Sequence, residues 1–409
     1  MQRMDNAAGL DIVEINSRVQ QERFYKCEEH FLLEKQALKV KLCLPMRYRV
    51  QKVIGMGTYG IVVLATDTQT NERVAIKKLT RPFTTEIEAR RTFREIHLLR
   101  HARHPNIVSL VDIFTPHMTW TSFSTSRDRE EVYIVTRYAG PTLAEIIENK
   151  SIAWSALDKK LMLYNILRGL QFLHSVGLIH RDLKPANIAV GGRNMASILD
   201  FGLARAVPDD SALTGYVVTK GYRAPELIYN LSISENGLSH YTSKVDVFSA
   251  GVIMAEMELR KPLFDIVDNQ RGFIHLAAFL NLMGRPSDEW LGTIADMPTR
   301  TAIAKWSDRV KSPEELRAQF EQQFMNLSDE GIDLLIRMLD VDPRRRISTA
   351  EALMHPYFEG LHNQDNANLA HNNPIVIPHE DILRTAEQWK RAVWTEMQNS
   401  ATQGNGGAV

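Results

Sequence analysis

The sequence predicts an α+β fold with two lobes, a β-rich small lobe followed by a mainly helical large lobe. Its 409 residues exceed the usual size of a single domain. Alternating, β-branched segments dominate before about residue 140, and apolar residues at helical spacing dominate after it. Hydrophobic residues make up 44% of the sequence and charged residues 24%, a composition that allows a large buried core.

The small lobe is predicted to be a sheet interrupted by one helix. Arg47–Leu64 and Arg73–Leu79 alternate and are rich in β-branched residues, and Val132–Val135 is a short apolar run. A helix is predicted over Glu86–His101, because apolar residues recur there at helical spacing and Pro105 follows. Residues 1–40 show no pattern that predicts an element.

The large lobe is predicted to be helical. One helix begins near Leu157 and stops before Gly177, a residue that commonly ends helices. A second helix, Val245–Met257, is apolar on nearly all sides and should therefore lie buried at the centre of the lobe. A third helix, around Ile332–Leu339, is amphipathic and stops before Pro343.

The composition excludes several classes of protein. Lys and Arg together number 49, as do Asp and Glu, and this balance argues against non-specific binding to nucleic acid or anionic membrane. No run approaches the roughly 18 apolar residues of a membrane span, and the first residues lack a signal-peptide core. Cys27 and Cys43 are the only cysteines, too few for a disulfide framework or a thiolate metal site. We expect a reducing compartment, with cytoplasmic and nuclear localisation.

A glycine-rich segment, Gly55–Val62, lies between two predicted strands and has the pattern G-x-G-x-x-G-x-V. Glycines let backbone amides approach phosphate oxygens without interference from a Cβ atom. The flanking strands indicate a kinase-type loop, since a Rossmann turn would open a helix. An ordinary structural turn would explain this pattern equally well on its own, so the neighbouring motifs decide its interpretation.

Lys77 ends a Val-Ala-Ile-Lys motif on the following strand. Strand alternation sends Lys77 and Ala75 to the face opposite Val74 and Ile76. A lysine there can pair with the α- and β-phosphate oxygens of a nucleotide, and the small Ala75 leaves room for an adenine. A solvated strand lysine would be the simpler interpretation, but Glu95 on the predicted helix can serve as an ion-pair partner.

The most specific motif is His180–Asn187, which reads His-Arg-Asp-Leu-Lys-Pro-Ala-Asn. Asp182 can accept a hydrogen bond from a substrate hydroxyl and orient it toward a γ-phosphate. Lys184 can neutralise charge on the transferred phosphoryl group. Asn187, together with Asp200 of the Asp-Phe-Gly triplet, offers the oxygen ligands that Mg²⁺ prefers.

These motifs, in this order, resemble those of eukaryotic protein kinases from about Tyr48 to Phe358. The resemblance implies a bilobal kinase fold with ATP between the lobes. It also implies the following division: an N-terminal extension (1–47), a kinase domain (48–358) with a small lobe (48–137) and a large lobe (141–358), and a C-terminal extension (359–409) that returns to the small lobe and ends in a disordered tip.

The resemblance also implies roles for individual residues. The implied catalytic residues are Asp182, Lys184, Lys77 and Glu95. The implied ATP-binding residues are Ile54, Gly55, Met56, Gly57, Thr58, Tyr59, Gly60, Ile61, Val62, Ala75, Lys77 and Thr136, and the implied metal ligands are Asn187 and Asp200. Further implied contacts are a stacked spine of Leu99, Leu110, His180 and Phe201, a pair between Glu226 and Arg346, and a brace for the catalytic loop at Asp246.

The segment that follows Asp-Phe-Gly indicates the subfamily. Thr214-Gly215-Tyr216 resembles the dual-phosphorylation motif of the stress-activated mitogen-activated protein kinases, and Glu387–Lys390 resembles their C-terminal extension. Each phosphate adds about −1.5 to −2 charge and can order a segment that faces arginines. The implied partners are Arg91, Arg94, Arg181 and Arg205 for phosphorylated Thr214, and Lys220 and Arg223 for phosphorylated Tyr216.

The resemblance implies a Ser/Thr protein kinase of stress signalling that uses ATP and Mg²⁺ and phosphorylates Ser or Thr followed by Pro. Implied partners are an upstream dual-specificity MAP kinase kinase, proline-directed protein substrates and phosphatases. We expect a monomer without membrane or direct nucleic-acid binding. Two alternatives are a kinase-fold scaffold with low activity, opposed by intact catalytic motifs, and another ATP-dependent enzyme, opposed by the absence of G-x-x-x-x-G-K.

The sequence departs from the family at the activation segment. Lys220-Gly221 stands where the family usually has Arg-Trp. A lysine cannot form the bidentate fork that arginine offers to a phosphate. We therefore hypothesise that activity depends less on phosphorylation of Tyr216 than on that of Thr214.

Other departures affect docking and surface loops. His362–Ala367 keeps one charge where relatives have an acidic cluster, and Gly192-Arg193 replaces a second acidic pair. One exposed carboxylate contributes little, so basic docking peptides should bind poorly. Pro116–Glu130 and Leu231–His240 look longer than in relatives and are predicted to be polar surface loops.

Overall fold

The computed structural model describes residues 25–32, 38–57, 60–117, 119–125, 131–206, 220–228, 242–264, 272–284, 286–294, 297–306, 311–361, 373–380 and 382–403. The chain divides into two compact units. The first unit comprises Met1–Arg103, Val108–Tyr138 and Ile377–Val409, and the second comprises His104–Ile107 and Ala139–Val376.

Strands dominate the first unit, and helices dominate the second. The strands are β1 (Tyr25–Leu32), β2 (Leu38–Pro45), β3 (Tyr48–Gly57), β4 (Gly60–Asp67), β5 (Glu72–Leu79), β6 (Leu110–Phe114), β7 (Tyr133–Arg137), β8 (Leu178–Ile179), β9 (Ile188–Val190), β10 (Ala196–Ile198) and β11 (Arg205–Ala206). The helices are α1 (Glu86–His101), α2 (Trp120–Thr125), α3 (Leu143–Glu148), α4 (Ala156–Ser175), α5 (Pro225–Ile228), α6 (Lys244–Leu259), α7 (Gly272–Met283), α8 (Asp288–Gly292), α9 (Met297–Trp306), α10 (Pro313–Gln323), α11 (Asp329–Met338), α12 (Thr349–Leu353) and α13 (Ala386–Gln403).

The first unit contains an antiparallel five-stranded sheet in the order β3-β4-β5-β7-β6. Its buried face is apolar, and includes Val63, Ala65, Val74, Ile76, Phe114, Tyr133 and Val135. The predicted alternation of β5 is confirmed, because Val74 and Ile76 are buried while Ala75 and Lys77 are half-buried on the other face. The strands predicted from alternation are therefore present.

A hairpin formed by β1 and β2 precedes this sheet and was not predicted. Leu42 and Leu44 of β2 join the apolar core of the sheet, and the Cys43 amide donates a hydrogen bond to the Tyr133 hydroxyl at 3.0 Å. Cys43 is disulfide-bonded, and Cys27 lies opposite it in the strand register. This differs from the sequence-based expectation, because the low cysteine count is typical of a reducing compartment. No local pattern predicts the hairpin, because its apolar residues pack on strands that are distant in sequence.

Helix α1 has the bounds that the sequence predicts. Thr85 and Glu88 form a reciprocal capping box at its N-terminus, which satisfies two backbone N–H groups that would otherwise lack partners. Phe93 and Ile96 are buried on its apolar face. The helix ends before Pro105, in agreement with the predicted stop, and it presents Glu95 at a fixed position.

The second unit is organised around α4 and α6. Helix α4 ends just before Gly177, whose φ of 79° is favoured by glycine and explains the predicted stop. Helix α6 is buried from Val245 to Met257, as predicted from a sequence that is apolar on nearly all sides. At Gly251 a Cβ atom would lie 3.0 Å from the Met338 Cβ atom, so α6 and α11 pack closely there.

One sequence prediction about loops is wrong. The segment Pro116–Glu130 is predicted to be a polar surface loop, but part of it forms α2, and Phe123 within α2 is fully buried. Local polarity could not reveal this, because Phe123 is buried by residues distant in sequence. Leu231–His240 lies outside the described residues. Among the helices of the described ranges, none has the length and apolar character that a membrane crossing requires.

Candidate active site

The glycine-rich loop joins β3 and β4 in the first unit. Gly55 pairs with Val62, Met56 with Ile61, and Gly57 with Gly60, so the two strands stay in register up to the turn. Gly60 has a φ of 148°, and a Cβ atom there would lie 2.2 Å from the Lys78 carbonyl oxygen. The fold therefore requires glycine at position 60. At Gly57, by contrast, no atom of the described residues would lie within 4 Å of an added Cβ atom.

The remaining predicted nucleotide residues of the first unit lie on neighbouring strands. Ile54 is half-buried on β3 and Ala75 is half-buried on β5. Thr136 on β7 is the register partner of Ala75. Thr58 and Tyr59 lie outside the described residues. The register thus brings the small Ala75 next to Thr136 on the sheet.

Lys77 and Glu95 form the ion pair that the sequence predicts. The Lys77 Nζ atom donates a hydrogen bond to Glu95 Oε1 at 2.6 Å. The glutamate side chain is 9% exposed and the lysine side chain is 19% exposed. The pair links β5 to α1, so movement of α1 would move the partner of Lys77.

The catalytic loop in the second unit brings Asp182, Lys184 and Asn187 together. Lys184 Nζ donates to Asp182 Oδ2 at 3.0 Å, and the Asn187 amide nitrogen donates to the same oxygen at 3.1 Å and to the Asp182 carbonyl at 2.8 Å. Two donors on one carboxylate oxygen fix its orientation. A carboxylate held in this way can accept a hydrogen bond from a hydroxyl.

Asp246 of α6 holds this loop, as predicted. Its carboxylate accepts hydrogen bonds from the His180 and Arg181 backbone amides, each at 2.8 Å, and lies 3.0 Å from His174 Nε2. Burial alone would raise the pKa of Asp246, but the His174 hydrogen bond, the nearby histidines and the Arg181 amide hold the pKa below its ordinary value. Arg181 has a φ of 69°, a strained conformation that these bonds help to maintain.

The two predicted metal ligands lie on backbone segments that are joined by a hydrogen bond. The Asn187 carbonyl oxygen accepts a hydrogen bond from the Leu199 amide at 2.9 Å, which places Asn187 beside the residue that precedes Asp200. Asp200 has a φ of 60°, and its Oδ1 atom accepts from the Gly202 amide at 3.2 Å. The side-chain amide nitrogen of Asn187 donates hydrogen bonds to Asp182. Asn187 can therefore offer a cation its side-chain oxygen. This oxygen-based pair fits Mg²⁺, which binds through few protein ligands and keeps phosphates and waters. The described residues contain no cluster of three or more His, Cys, Asp or Glu that would hold a metal by itself.

Other contacts support the site in the second unit. The rings of His180 and Phe201, two members of the predicted spine, meet edge to face with centroids 5.6 Å apart. The predicted pair of Glu226 and Arg346 is present as two hydrogen bonds of 2.7 and 3.0 Å. Both side chains are almost completely buried. Leu99 and Leu110, the other predicted spine members, lie on α1 and β6 of the first unit, where Leu99 is buried and Leu110 half-buried.

The predicted phosphorylation sites cannot be placed in the same way. Thr214 and Tyr216 lie outside the described residues, as does the side chain of Lys220. Of the predicted phosphate partners, Arg91 and Arg94 lie on α1 in the first unit, and Arg181, Arg205 and Arg223 lie in the second unit. Arg94 forms an ion pair with Glu380, a partner that the sequence did not indicate.

Sequence reasoning also missed the residues that hold α1. His97 Nδ1 lies 2.8 Å from Glu396 Oε1, and Arg100 forms an ion pair with the same carboxylate. His97 and Glu396 are 299 residues apart in the chain. The resemblance indicated that the C-terminal extension returns to the small lobe, but no local pattern identified these partners.

Comparison with known proteins agrees with this geometry. The protein kinase domain family matches residues 48–358. Mitogen-activated protein kinase 14 of Xenopus laevis is 37% identical over 358 residues, covering 87% of this chain and 90% of the relative. Human mitogen-activated protein kinase 12 is 37% identical over 359 residues, covering 86% and 88%. Mitogen-activated protein kinase pmk-1 of Caenorhabditis elegans is 38% identical over 347 residues, covering 85% and 84%.

The chain is thus a protein kinase with the α+β kinase fold. Within that class it belongs to the mitogen-activated protein kinases, as a Ser/Thr protein kinase of the stress-activated Thr-Gly-Tyr subfamily. Membership implies the use of ATP and, typically, of a divalent metal ion. The sequence-based prediction of family and fold is confirmed.

Proposed function

We propose that this protein transfers the γ-phosphate of ATP to Ser or Thr residues followed by Pro, and that phosphorylation of Thr214 and Tyr216 activates it. The observation that carries the catalytic part is the hydrogen bonding at Asp182. Lys184 and Asn187 both donate to one oxygen of its carboxylate, which fixes the orientation of that group. This arrangement suits a group that positions a substrate hydroxyl.

The first unit supplies nucleotide recognition in this proposal. The backbone of the glycine-rich loop approaches the phosphates, and Lys77 neutralises the α- and β-phosphate oxygens. The 2.6 Å hydrogen bond from Lys77 to Glu95 holds the ammonium group in one orientation. Ala75 and Thr136 are register partners on the sheet, which supports the assignment of the adenine to this part of it.

The second unit supplies the groups for phosphoryl transfer. Asp182 accepts the hydrogen bond of the attacking hydroxyl and orients it, while Lys184 stabilises charge that develops on the phosphoryl group. Asn187 and Asp200 would hold Mg²⁺ through oxygen atoms. When bound, Mg²⁺ neutralises the charge of the phosphates.

Transfer of radiolabelled phosphate from ATP to a generic proline-directed protein substrate tests this function. We expect incorporation with the natural protein and near-complete loss with Asp182→Asn, which keeps the size of the side chain but removes its charge. A matched substrate with Ala after the acceptor Ser tests the preference for proline. Equal labelling of the two substrates would refute proline direction, and no labelling of either by protein phosphorylated on Thr214 and Tyr216 would refute the activity.

Regulation by two phosphates rests on the family motif and on the basic residues predicted around it. Mass spectrometry of Thr214 and Tyr216, with activity measured before and after phosphatase treatment, tests this switch. If Lys220 binds phosphotyrosine less well than an arginine would, Tyr216→Phe should retain more activity than Thr214→Ala. Equal and complete losses would contradict that hypothesis.

A kinase-fold scaffold is the second candidate, and the departures at Lys220-Gly221 and at the acidic docking residues favour it. The upstream dual-specificity kinase, the substrates and the phosphatases would then engage an atypical docking surface. We expect a Lys/Arg-rich docking peptide to show little salt-sensitive binding. Strongly salt-dependent binding at micromolar peptide would contradict this expectation. The phosphate-transfer assay separates the scaffold from the enzyme.

A further inference from the structure

The C-terminal helix α13 packs directly on the helix that carries Glu95. The rings of Trp389 and Phe93 have centroids 5.2 Å apart, and Glu396 pairs with both His97 and Arg100. Phe93, His97 and Arg100 all belong to α1. Because Glu95 is on the same helix, the position of α13 determines where the partner of Lys77 lies.

Helix α2, from the segment predicted to be a polar loop, packs on α13. The rings of Phe123 and Trp394 have centroids 5.2 Å apart. Lys390 Nζ donates a hydrogen bond to the Ser124 carbonyl at 3.2 Å and lies 5.3 Å from the centroid of Phe123. Phe123 is 0% exposed and Lys390 is 3% exposed. A desolvated ammonium group over an aromatic ring is attracted more strongly than an exposed one.

Helix α2 also contacts the segment that leads into α1. The rings of Phe123 and Phe83 meet edge to face with centroids 5.6 Å apart, and Lys390 Nζ lies 5.7 Å from the centroid of Phe83. Phe83 precedes Thr85, the capping residue of α1. Phe123 of α2 therefore contacts both α13 and the segment that leads into α1. Lys390, a residue of α13, contacts Phe123 and the same segment.

We propose that Phe123 and Lys390 are positioning residues for phosphoryl transfer. They hold α13 and the N-terminal approach of α1 together, and through α1 they keep Glu95 on Lys77. This inference rests on the proposed kinase function, because it assigns the two residues a role in that reaction. Their effect passes through Glu95 and involves no contact with the reacting atoms.

A double-mutant cycle with Glu95 separates positioning from general stabilisation. Lys390→Met keeps the length of the side chain and removes its charge and its donor. We expect it to lower kcat/KM by about 2- to 30-fold, the range that corresponds to coupling energies carried by a packed network. In a Glu95→Gln background the same substitution should change kcat/KM by less than about twofold, because the pair it acts through is already broken.

Two further variants control for folding. Lys390→Arg keeps a cation that can lie over Phe123, so this variant should retain most of the activity that Lys390→Met loses. Phe320→Ala removes a fully buried ring of the second unit, which packs on Phe324 with centroids 5.5 Å apart. Phe320→Ala should lower thermal stability but lose the same fraction of activity in both backgrounds. Hydrogen exchange of the α1 amides should be faster in Lys390→Met and unchanged in Phe320→Ala.

The outcomes separate this inference from the proposed function. An equal fold-loss for Lys390→Met in both backgrounds, or failure of Lys390→Arg to restore activity, overturns the positioning role. If the natural protein phosphorylated on Thr214 and Tyr216 transfers no phosphate, the proposed function fails, and the cycle is then measured on the Kd of a non-hydrolysable ATP analogue with Mg²⁺. A loss of affinity that disappears in the Glu95→Gln background supports positioning, and an equal loss in both backgrounds refutes it.

Discussion

The residues predicted to take part in catalysis are held in place by different means in the two units. In the second unit, the catalytic loop is fixed by Asp246, a completely buried carboxylate that binds two consecutive backbone amides. In the first unit, the Lys77–Glu95 pair depends on α1, which is held by aromatic contacts and ion pairs from the distant helix α13. Buried charge fixes one half, and packing between distant segments fixes the other.

This difference predicts that removing a charge costs more stability in the second unit than in the first. The largest effect is expected for Glu226→Gln, because it leaves the guanidinium group of Arg346 buried without its carboxylate. Breaking a buried ion pair in this way typically lowers the free energy of unfolding by about 3–5 kcal/mol. Urea denaturation followed by circular dichroism measures it. A loss below about 1 kcal/mol would show that the buried pair does not hold the second unit.

Asp246→Asn should have the next largest effect, since it removes the charge but keeps one acceptor for the amides. Hydrogen bonds to charged groups contribute about 1.5–3 kcal/mol, so we expect a loss in that range and lower activity. The pKa of Asp246 is below its ordinary value in the folded protein, so its contribution is present above the unfolded pKa and is lost as the pH falls through the folded pKa. Unfolding measured from neutral to acid pH should therefore be less pH-dependent in Asp246→Asn than in the natural protein. Parallel curves would contradict this account.

Glu396→Gln tests the first unit, and a smaller loss of about 1 kcal/mol is expected, because aromatic contacts such as Trp389 with Phe93 remain. Burial favours a higher pKa for Glu396, but His97 and Arg100 hold the pKa below its ordinary value. The stabilisation is therefore present above the unfolded pKa and lost as the pH falls through the folded one. Thermal unfolding at several pH values checks both points. A loss as large as that of Glu226→Gln would remove the contrast between the two units.

Arg137→Ala provides the smallest expected effect. Arg137 pairs with Glu72 at the surface of the first unit, where the two side chains are 63% and 52% exposed. Exposed pairs contribute roughly 0–1 kcal/mol and are screened by salt, so the midpoint of unfolding should barely move. Urea denaturation at low and high salt concentration measures this change in the midpoint of unfolding. A large, salt-independent change would mean that ion pairs in the first unit stabilise it regardless of burial.

The elements that could be predicted from the sequence are those fixed by local rules. Helix α1 has the predicted bounds because its capping residues and its apolar spacing lie within it. The contacts among Asp182, Lys184 and Asn187 could also be predicted from the sequence, since a short loop brings the three side chains together. The pair between Lys77 and Glu95 required the family resemblance, because strand and helix meet only in the fold.

The features that could not be predicted depend on contacts between distant residues. Phe123 lies in a polar stretch, and its burial depends on residues distant in sequence such as Trp394. Arg94 was predicted to bind a phosphate, yet it pairs with Glu380, a residue in the C-terminal region. The β1–β2 hairpin is likewise stabilised by apolar residues of strands that follow it. Periodicity and composition report on neighbours in sequence, so they carry no information about these partners.

The bonds from Asp246 to the His180 and Arg181 amides separate the shape of the catalytic loop from its chemistry. The carboxylate binds main-chain atoms, which every residue type except proline supplies. Side chains in the loop can therefore change while its course is preserved. A variant that has lost phosphoryl transfer should still present the same surface and compete with the active protein for shared partners. In a signalling pathway, such a catalytically inactive variant would act as a dominant inhibitor.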